Sequence, residues 1–170
     1  MRDKVHNFVF YCLVALISLL LFYWFKTTKD DITKILLFPH ARFTEIYYNL
    51  SFVYIDGVGY SSVNGAFAIG PACMGSNFIV MMFAMNSCLF AKHFKGARKL
   101  LWLVANLFGS VIIGILISCI RIIGSVPFTA NPKFALFHSS IGISLYFLTL
   151  TASYAILKKL IRGEKNEENI

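Results

Sequence analysis

Three residue types that can carry out acyl transfer stand far apart in this 170-residue chain. Cys73 lies in "GPACMGSN", Arg121 in "SCIRI" and His138 in "FHSSIG". A cysteine thiolate is a nucleophile, a histidine can accept the thiol proton, and an arginine can stabilise the thiolate or the oxyanion of a tetrahedral intermediate. Whether the three side chains can act together depends on the elements that carry them.

Those elements belong to a membrane protein. Hydrophobic residues make up 58% of the chain and charged residues 14%, whereas soluble domains are roughly 45–50% apolar and about 25% charged. Four apolar stretches approach the roughly 20 residues that a spanning helix needs: residues 8–25, 77–91, 100–120 and 134–157. No small-x-small cleavage site follows the first stretch, so we interpret it as an uncleaved anchor. We predict an all-α integral membrane protein, a single domain over residues 1–170, with four transmembrane helices.

The long connection between the first two spans has structure of its own. Apolar residues at helical spacing in "DDITKILLFPHARFTEIYYNL" predict one or two short amphipathic helices on the membrane surface, interrupted at Pro39. The strand-like "SFVYI" and the tight-turn dipeptides Asp56-Gly57 and Asn64-Gly65 then predict a small β-hairpin that leads into Cys73. Residues 158–170 are expected to form a cytoplasmic tail, disordered over residues 163–170.

The basic residues orient the chain. Ten of the 16 Lys and Arg residues cluster at the ends of the predicted spans: Arg2, Lys4, Lys92, Lys95, Arg98, Lys99, Lys158, Lys159, Arg162 and Lys165. Cytoplasmic loops carry such an excess, so we place both termini in the cytoplasm and the multi-pass chain in the cell (inner) membrane. Cys73, Arg121 and His138 then all lie near the outer face. The topology also accounts for the net charge of +8, and we assign no nucleic-acid partner.

Each candidate residue also has an ordinary explanation. A free cysteine is commonly a small buried hydrophobe, and an arginine at a helix end can extend its charge to the interface. A histidine within an apolar helix can simply be hydrogen-bonded, although ionisable groups at that depth tend to mark functional sites. Cys12, Cys88 and Cys119 are assigned to packing. The placement of all three candidate types at one membrane face is what indicates a site.

The segments "PACMGSNF", "SCIRI" and "HSSIG" follow one another at the outer ends of successive predicted spans. This pattern resembles the exosortase/archaeosortase family of membrane transpeptidases, in its short, exosortase K-like branch, over roughly residues 50–146. The resemblance implies that Cys73 is the nucleophile, that His138 is the general base and acid, and that Arg121 stabilises the oxyanion or the thiolate. It implies no cofactor and no metal.

By the same resemblance, the substrates are secreted proteins with a C-terminal sorting signal, which consists of a short motif, a transmembrane helix and a basic tail. Cleavage would pass through a thioester, resolved by an amine or by water. The chain departs from the family pattern at Met74, where members commonly have Ser, and at Ser118, where they commonly have Asn. The second departure leaves open which group orients Arg121.

Other classes of protein fit parts of the sequence. A transporter or channel subunit would use polar groups near the middle of the membrane, and several uncharged ones are present: Asn86, Asn106, Ser87, Ser110, Ser144 and Thr149. Such groups also serve as packing hydrogen bonds between helices. A metal site formed by Cys73, Cys119 and His138 lacks any CxxC or HxxxH spacing. A non-enzymatic assembly factor is the interpretation that remains if the three candidate residues are inert.

Overall fold

Long helices dominate the computed structural model, which describes residues 2–65, 67–94 and 96–167. The five α-helices are α1 (Arg2–Thr27), α2 (Asp30–Tyr48), α3 (Ser76–Phe90), α4 (Ala97–Ser125) and α5 (Phe134–Glu167). The strands are β1 (Phe52–Ile55), β2 (Gly59–Ser62) and β3 (Ala68–Ile69). Short 3₁₀ turns occupy Pro71–Met74, Ala91–His93 and Val126–Phe128.

Within the described residues, four helical segments are long and apolar enough to cross a membrane: Val5–Thr27, Pro71–His93, Ala97–Phe128 and Phe134–Ile161. They contain the four stretches picked from the sequence, so the predicted fold class is confirmed. The second stretch, which is short in the sequence, reaches spanning length because 3₁₀ turns extend α3 at both ends. With four spans, both ends of the chain would lie on the same side of a membrane.

The segment before the sheet is a single helix, α2, and the predicted interruption at Pro39 is wrong. Proline removes one backbone N–H from the helix ladder. The helix continues across the proline because buried residues on both sides of it, Leu37 and Ala41, pack in the same core. One face of α2 is buried, and the helix ends at Tyr48. The left-handed conformation of Asn49 then lets the N–H of Leu50 bond to the Glu45 carbonyl oxygen at 3.3 Å.

The predicted β-hairpin is present, and a further strand joins it. Strands β1 and β2 pair antiparallel around the Asp56-Gly57 turn, and a second turn at Asn64-Gly65 brings β3 antiparallel to β2. The sheet order is β1-β2-β3. One buried core joins this sheet to α2, to α4 and to the turn that carries Cys73: Leu37, Ala41, Tyr60, Ile69, Met74 and Ile122.

Helix α5 continues to Glu167, so residues 163–167, expected to be disordered, are helical. Two physical reasons explain the difference. Lys and Glu, which are common in this segment, are good helix formers, and a helix that is already formed extends at little cost. Residues 168–170 of the predicted tail lie outside the described part of the chain.

The orientation of the chain can be tested with two matched alanines at exposed positions, Ala97 at the start of α4 and Ala130 after its end. In a variant without the native cysteines, we expect Ala130→Cys to react with a membrane-impermeant maleimide in intact cells. Ala97→Cys should react only after the cells are permeabilised. The opposite labelling pattern would overturn the assignment of Cys73, Arg121 and His138 to the outer face.

Candidate functional site

Cys73 lies in the 3₁₀ turn Pro71–Met74, between β3 and α3. Its N–H donates to the carbonyl oxygen of Gly70 at 2.8 Å. The thiol is free and half-buried, and its side chain packs against the core that joins α2, α4 and the sheet. The turn therefore holds the thiol in a defined position at the start of the second span.

Gly75 makes this turn possible. Its φ of 68° lies in the left-handed region, where glycine is favoured, and it separates the 3₁₀ turn from α3. A Cβ at this position would lie 2.0 Å from the Oγ of Ser118 on α4. The backbone at Gly75 therefore touches α4 directly, and this contact sets the distance between Cys73 and the arginine-bearing helix.

Arg121 is 8% exposed and reaches the turn of Cys73 from α4. Its Nη2 donates to the carbonyl oxygen of Ala72 at 3.3 Å, and the guanidinium lies within hydrogen-bonding reach of the Cys73 side chain. The guanidinium carbon also lies 5.4 Å from the centroid of the Tyr146 ring, a cation–π distance. Tyr146 stacks in turn on Phe78 of α3, with 4.4 Å between ring centroids.

His138 on α5 is oriented by a serine. Its Nδ1 lies 3.0 Å from the Oγ of Ser125, and that hydroxyl donates to the carbonyl oxygen of Arg121 at 2.7 Å. Because the serine has only one proton, it accepts the bond from Nδ1–H of the imidazole. The hydrogen-bond network thus assigns the proton of neutral His138 to Nδ1, and Nε2 carries the free lone pair that a general base needs.

Cys73 and His138 open onto the same cavity, of about 260 Å³. Ser125 also lines it, and the remaining walls come from residues 67–69, from α4 and from the connection between α4 and α5. The structure thus places Cys73 and His138 at one cavity and Arg121 against the turn that holds Cys73. Their catalytic roles stay predictions.

The side chains that position these residues were not identified from the sequence, although their spacing carries a signal. On α5, His138, Gly142 and Tyr146 are four residues apart, which places them on one face of the helix. A Cβ on Gly142 would lie 2.9 Å from the Cδ of Arg121, so the glycine makes room for the arginine. On α4, Ser125 follows Arg121 by one helical turn.

His40 on α2 also lies near the buried cation. It is 1% exposed, and within the described part of the chain its Nε2 has no hydrogen-bond partner. Burial lowers the pKa of His40 to about 4, and the charge of Arg121 contributes in the same direction. His40 is therefore neutral at physiological pH, and no second cation is added beside Arg121.

Two alternatives from the sequence can be compared with this geometry. In residues 2–65, 67–94 and 96–167, no group of three His, Cys, Asp or Glu side chains is arranged to hold a metal ion, so Cys73, Cys119 and His138 do not form such a site. The mid-span amides serve as helix contacts. Asn106 donates to the carbonyl oxygen of Phe83 at 2.9 Å and to the Oγ of Ser87 at 2.8 Å.

The space that Gly142 leaves for Arg121 can be tested by Gly142→Ala. The added Cβ should displace the guanidinium of Arg121 from the thiol of Cys73. Because a nearby cation favours the thiolate, iodoacetamide should then alkylate Cys73 roughly threefold to tenfold more slowly. The rate is measured in a chain whose other three cysteines are replaced by serine. Gly109→Ala is the matched control, because its Cβ would meet nothing within 4 Å. Equal rates in the two variants would contradict the assignment.

The buried neutral His40 should make stability depend on pH. Its folded pKa of about 4 lies below the ordinary 6.5, so between these values the unfolded chain binds a proton that the folded chain does not. The free energy of unfolding should be fully present above pH 6.5 and fall by roughly 3 kcal/mol towards pH 4. Thermal unfolding in detergent would measure the loss. The loss of stability at low pH should disappear in His40→Gln and persist in His93→Gln, a substitution at an exposed position. An equal dependence of stability on pH in the two variants would contradict the prediction.

Similarity to other proteins could also indicate a function for the chain. Comparisons of the chain with family models, with curated proteins and with solved structures find no match. The function is therefore argued from the residues of the site and their geometry.

Proposed function

We propose that this protein is a membrane-embedded cysteine transpeptidase or protease. It would cleave C-terminal sorting signals of secreted proteins at the outer face of the cell membrane, through a thioester acyl-enzyme. One observation carries the proposal: Cys73 and His138 line a single cavity, while Arg121 contacts the turn that holds Cys73. The likeness of the three sequence segments to the exosortase/archaeosortase pattern supports the same chemistry.

The first step is the activation of the thiol. Nε2 of His138 accepts the proton of the Cys73 thiol, and the thiolate attacks the carbonyl carbon of the scissile peptide bond. A C–S bond forms, and the electron pair of the carbonyl moves to its oxygen. The hydrogen bond from Nδ1–H to Ser125 holds the imidazole in the tautomer that this step requires.

Arg121 is the group that can stabilise negative charge in this step. Its guanidinium stays charged at every physiological pH and can donate several hydrogen bonds in one plane. In the free protein it is directed at the Ala72 carbonyl oxygen and the Cys73 side chain. In the proposed mechanism, the same donors would serve the thiolate before attack or the oxyanion after it.

The second half of the reaction releases the signal and transfers the protein. Collapse of the tetrahedral intermediate breaks the C–N bond, and the imidazolium returns its proton to the departing amine. An incoming amine or water then attacks the thioester, gives up its proton to His138 and restores the free thiol. An amine yields a new peptide bond, and water yields a carboxylic acid.

The alternative is a small non-enzymatic membrane protein, such as a transporter subunit or an assembly factor. A transport route would require polar groups that face an open path. Several mid-span polar groups bond to neighbouring helices: Ser153 Oγ lies 3.5 Å from Asn86 Oδ1, and Asn106 bonds to α3. Thr149 donates to the Leu145 carbonyl oxygen of its own helix. These contacts favour a role in packing.

The nucleophile can be tested by co-expressing the chain with a tagged secreted reporter that ends in a motif, a transmembrane helix and a basic tail from the same genome. The wild type should form a covalent adduct that hydroxylamine cleaves, as expected for a thioester. Cys73→Ala and Cys73→Ser should abolish both the adduct and processing, and His138→Ala should reduce processing at least a hundredfold, the usual contribution of a general base.

Cys88→Ala is the matched control, since Cys88 is an exposed cysteine on α3, the helix that follows the turn of Cys73. Processing should stay at the wild-type rate in this variant. Wild-type processing by Cys73→Ala would show that the enzyme proposal is wrong and would favour the non-enzymatic alternative. Membrane levels of each variant, measured by immunoblot, separate a loss of activity from a loss of folding.

A further inference from the structure

Strand β3 has one free edge. It pairs with β2 on one side, in a register that places Tyr60 opposite Ile69 and Ser61 opposite Ala68. The N–H of Ser62 donates to the carbonyl oxygen of Phe67 at 3.0 Å, so the hydrogen-bonded pairs of this ladder are those on either side of Ala68. The N–H and C=O of Ala68 therefore point away from β2, and no strand among the described residues pairs with them.

This edge borders the cavity of the candidate site. Phe67, Ala68 and Ile69 line the same cavity as Cys73 and His138, and Ala68 is exposed. Only Gly70 and the first two residues of the 3₁₀ turn separate β3 from Cys73. An unpaired backbone donor and an unpaired acceptor thus lie on one wall of the cavity that holds the thiol.

We infer that β3 binds the substrate by strand addition, with an extended peptide segment pairing its backbone with Ala68. The inference rests on the proposed function and specifies how the segment to be cleaved is held. An extended peptide offers an N–H and a C=O at the spacing that a strand edge requires. A lipid chain has neither group, so the backbone chemistry of the edge favours a peptide as its occupant.

Strand addition also determines where the side chains of the segment point. Added strands lie about 4.8 Å from the strand with which they pair, and successive side chains alternate between the two faces. One side chain of the bound segment would therefore enter the cavity, whose walls beyond Cys73 and His138 include Ile122, Val126 and Phe134. We expect an apolar residue at this position of the segment.

The test uses an electrophilic peptide, acetyl-Ala-Leu-Ala-Leu vinyl sulfone, on the full chain in detergent with Cys12, Cys88 and Cys119 replaced by serine. The Cys73 thiolate adds to the vinyl group and forms a thioether, so mass spectrometry gives the rate. Ala68→Pro removes the outward N–H without removing a bond to β2, as is tolerated in edge strands. We expect the rate with the vinyl sulfone to fall roughly fivefold to tenfold, the usual effect of one lost hydrogen bond.

Two controls separate binding from folding. Iodoacetamide, which has no peptide chain, should alkylate Cys73 at the same rate in the wild type and in Ala68→Pro. The vinyl sulfone peptide with methylated backbone nitrogens should react slowly with the unmodified site, a measurement that needs no variant at Ala68. Full reactivity of the methylated peptide, or of Ala68→Pro with the ordinary one, would overturn the inference.

A further variant distinguishes this inference from the proposed function. If the vinyl sulfone reacts with Cys73 at a rate that His138→Ala leaves unchanged, the proposed function fails, and strand addition of a substrate fails with it. If the reaction depends on His138 but not on Ala68, the proposed function stands and strand addition alone is wrong.

Discussion

The site depends on the burial of one charge that the protein cannot remove. An arginine stays protonated under all physiological conditions, and moving a charged group out of water costs several kcal/mol even after the protein relaxes. Arg121 is nevertheless 8% exposed in a chain whose helices are long and apolar enough to span a membrane. The Ala72 carbonyl oxygen and the Tyr146 ring compensate part of this cost. Its Nε has no partner among the described residues, so the compensation is incomplete.

The packing around the site follows from this burial. The guanidinium needs space against α5, which Gly142 provides, and it needs the Cys73 turn close to α4, which Gly75 allows. Among the buried residues of α2, His40 is the ionisable one, and its lowered pKa keeps it neutral near Arg121. Arg121 thus places one planar, permanently charged group beside the thiol. That group is held between a backbone oxygen and an aromatic face, an arrangement that a lysine could not reproduce.

The sequence contains enough information for the spans and for the clustering of the candidate residues, because these follow from local properties. Hydrophobic length identifies the helices, and tight-turn dipeptides identify the hairpin. The features that sequence reasoning missed depend on tertiary contacts. Pro39 does not break α2, because the helix packs into the core on both sides of the proline, and β3 forms because the turn at Asn64-Gly65 returns the chain to β2. The sequence does not identify Ser125 as a partner of His138, because their hydrogen bond depends on the packing of α4 against α5.

Under the proposed function, the small sheet would help to bind the substrate backbone next to Cys73. A sorting signal would then carry its short motif next to a transmembrane helix. The backbone groups of the motif would lie outside that helix where they meet Cys73. Backbone groups freed in an apolar environment cost several kcal/mol each unless they find new partners. A two-residue strand with a free N–H and C=O beside the thiol offers such partners to one segment. Because the strand is so short, it presents little edge for unwanted pairing with other chains. Under the proposed function, the same brevity would leave most of the affinity to the membrane helix of the signal, while the edge would fix the position of the bond to be cleaved.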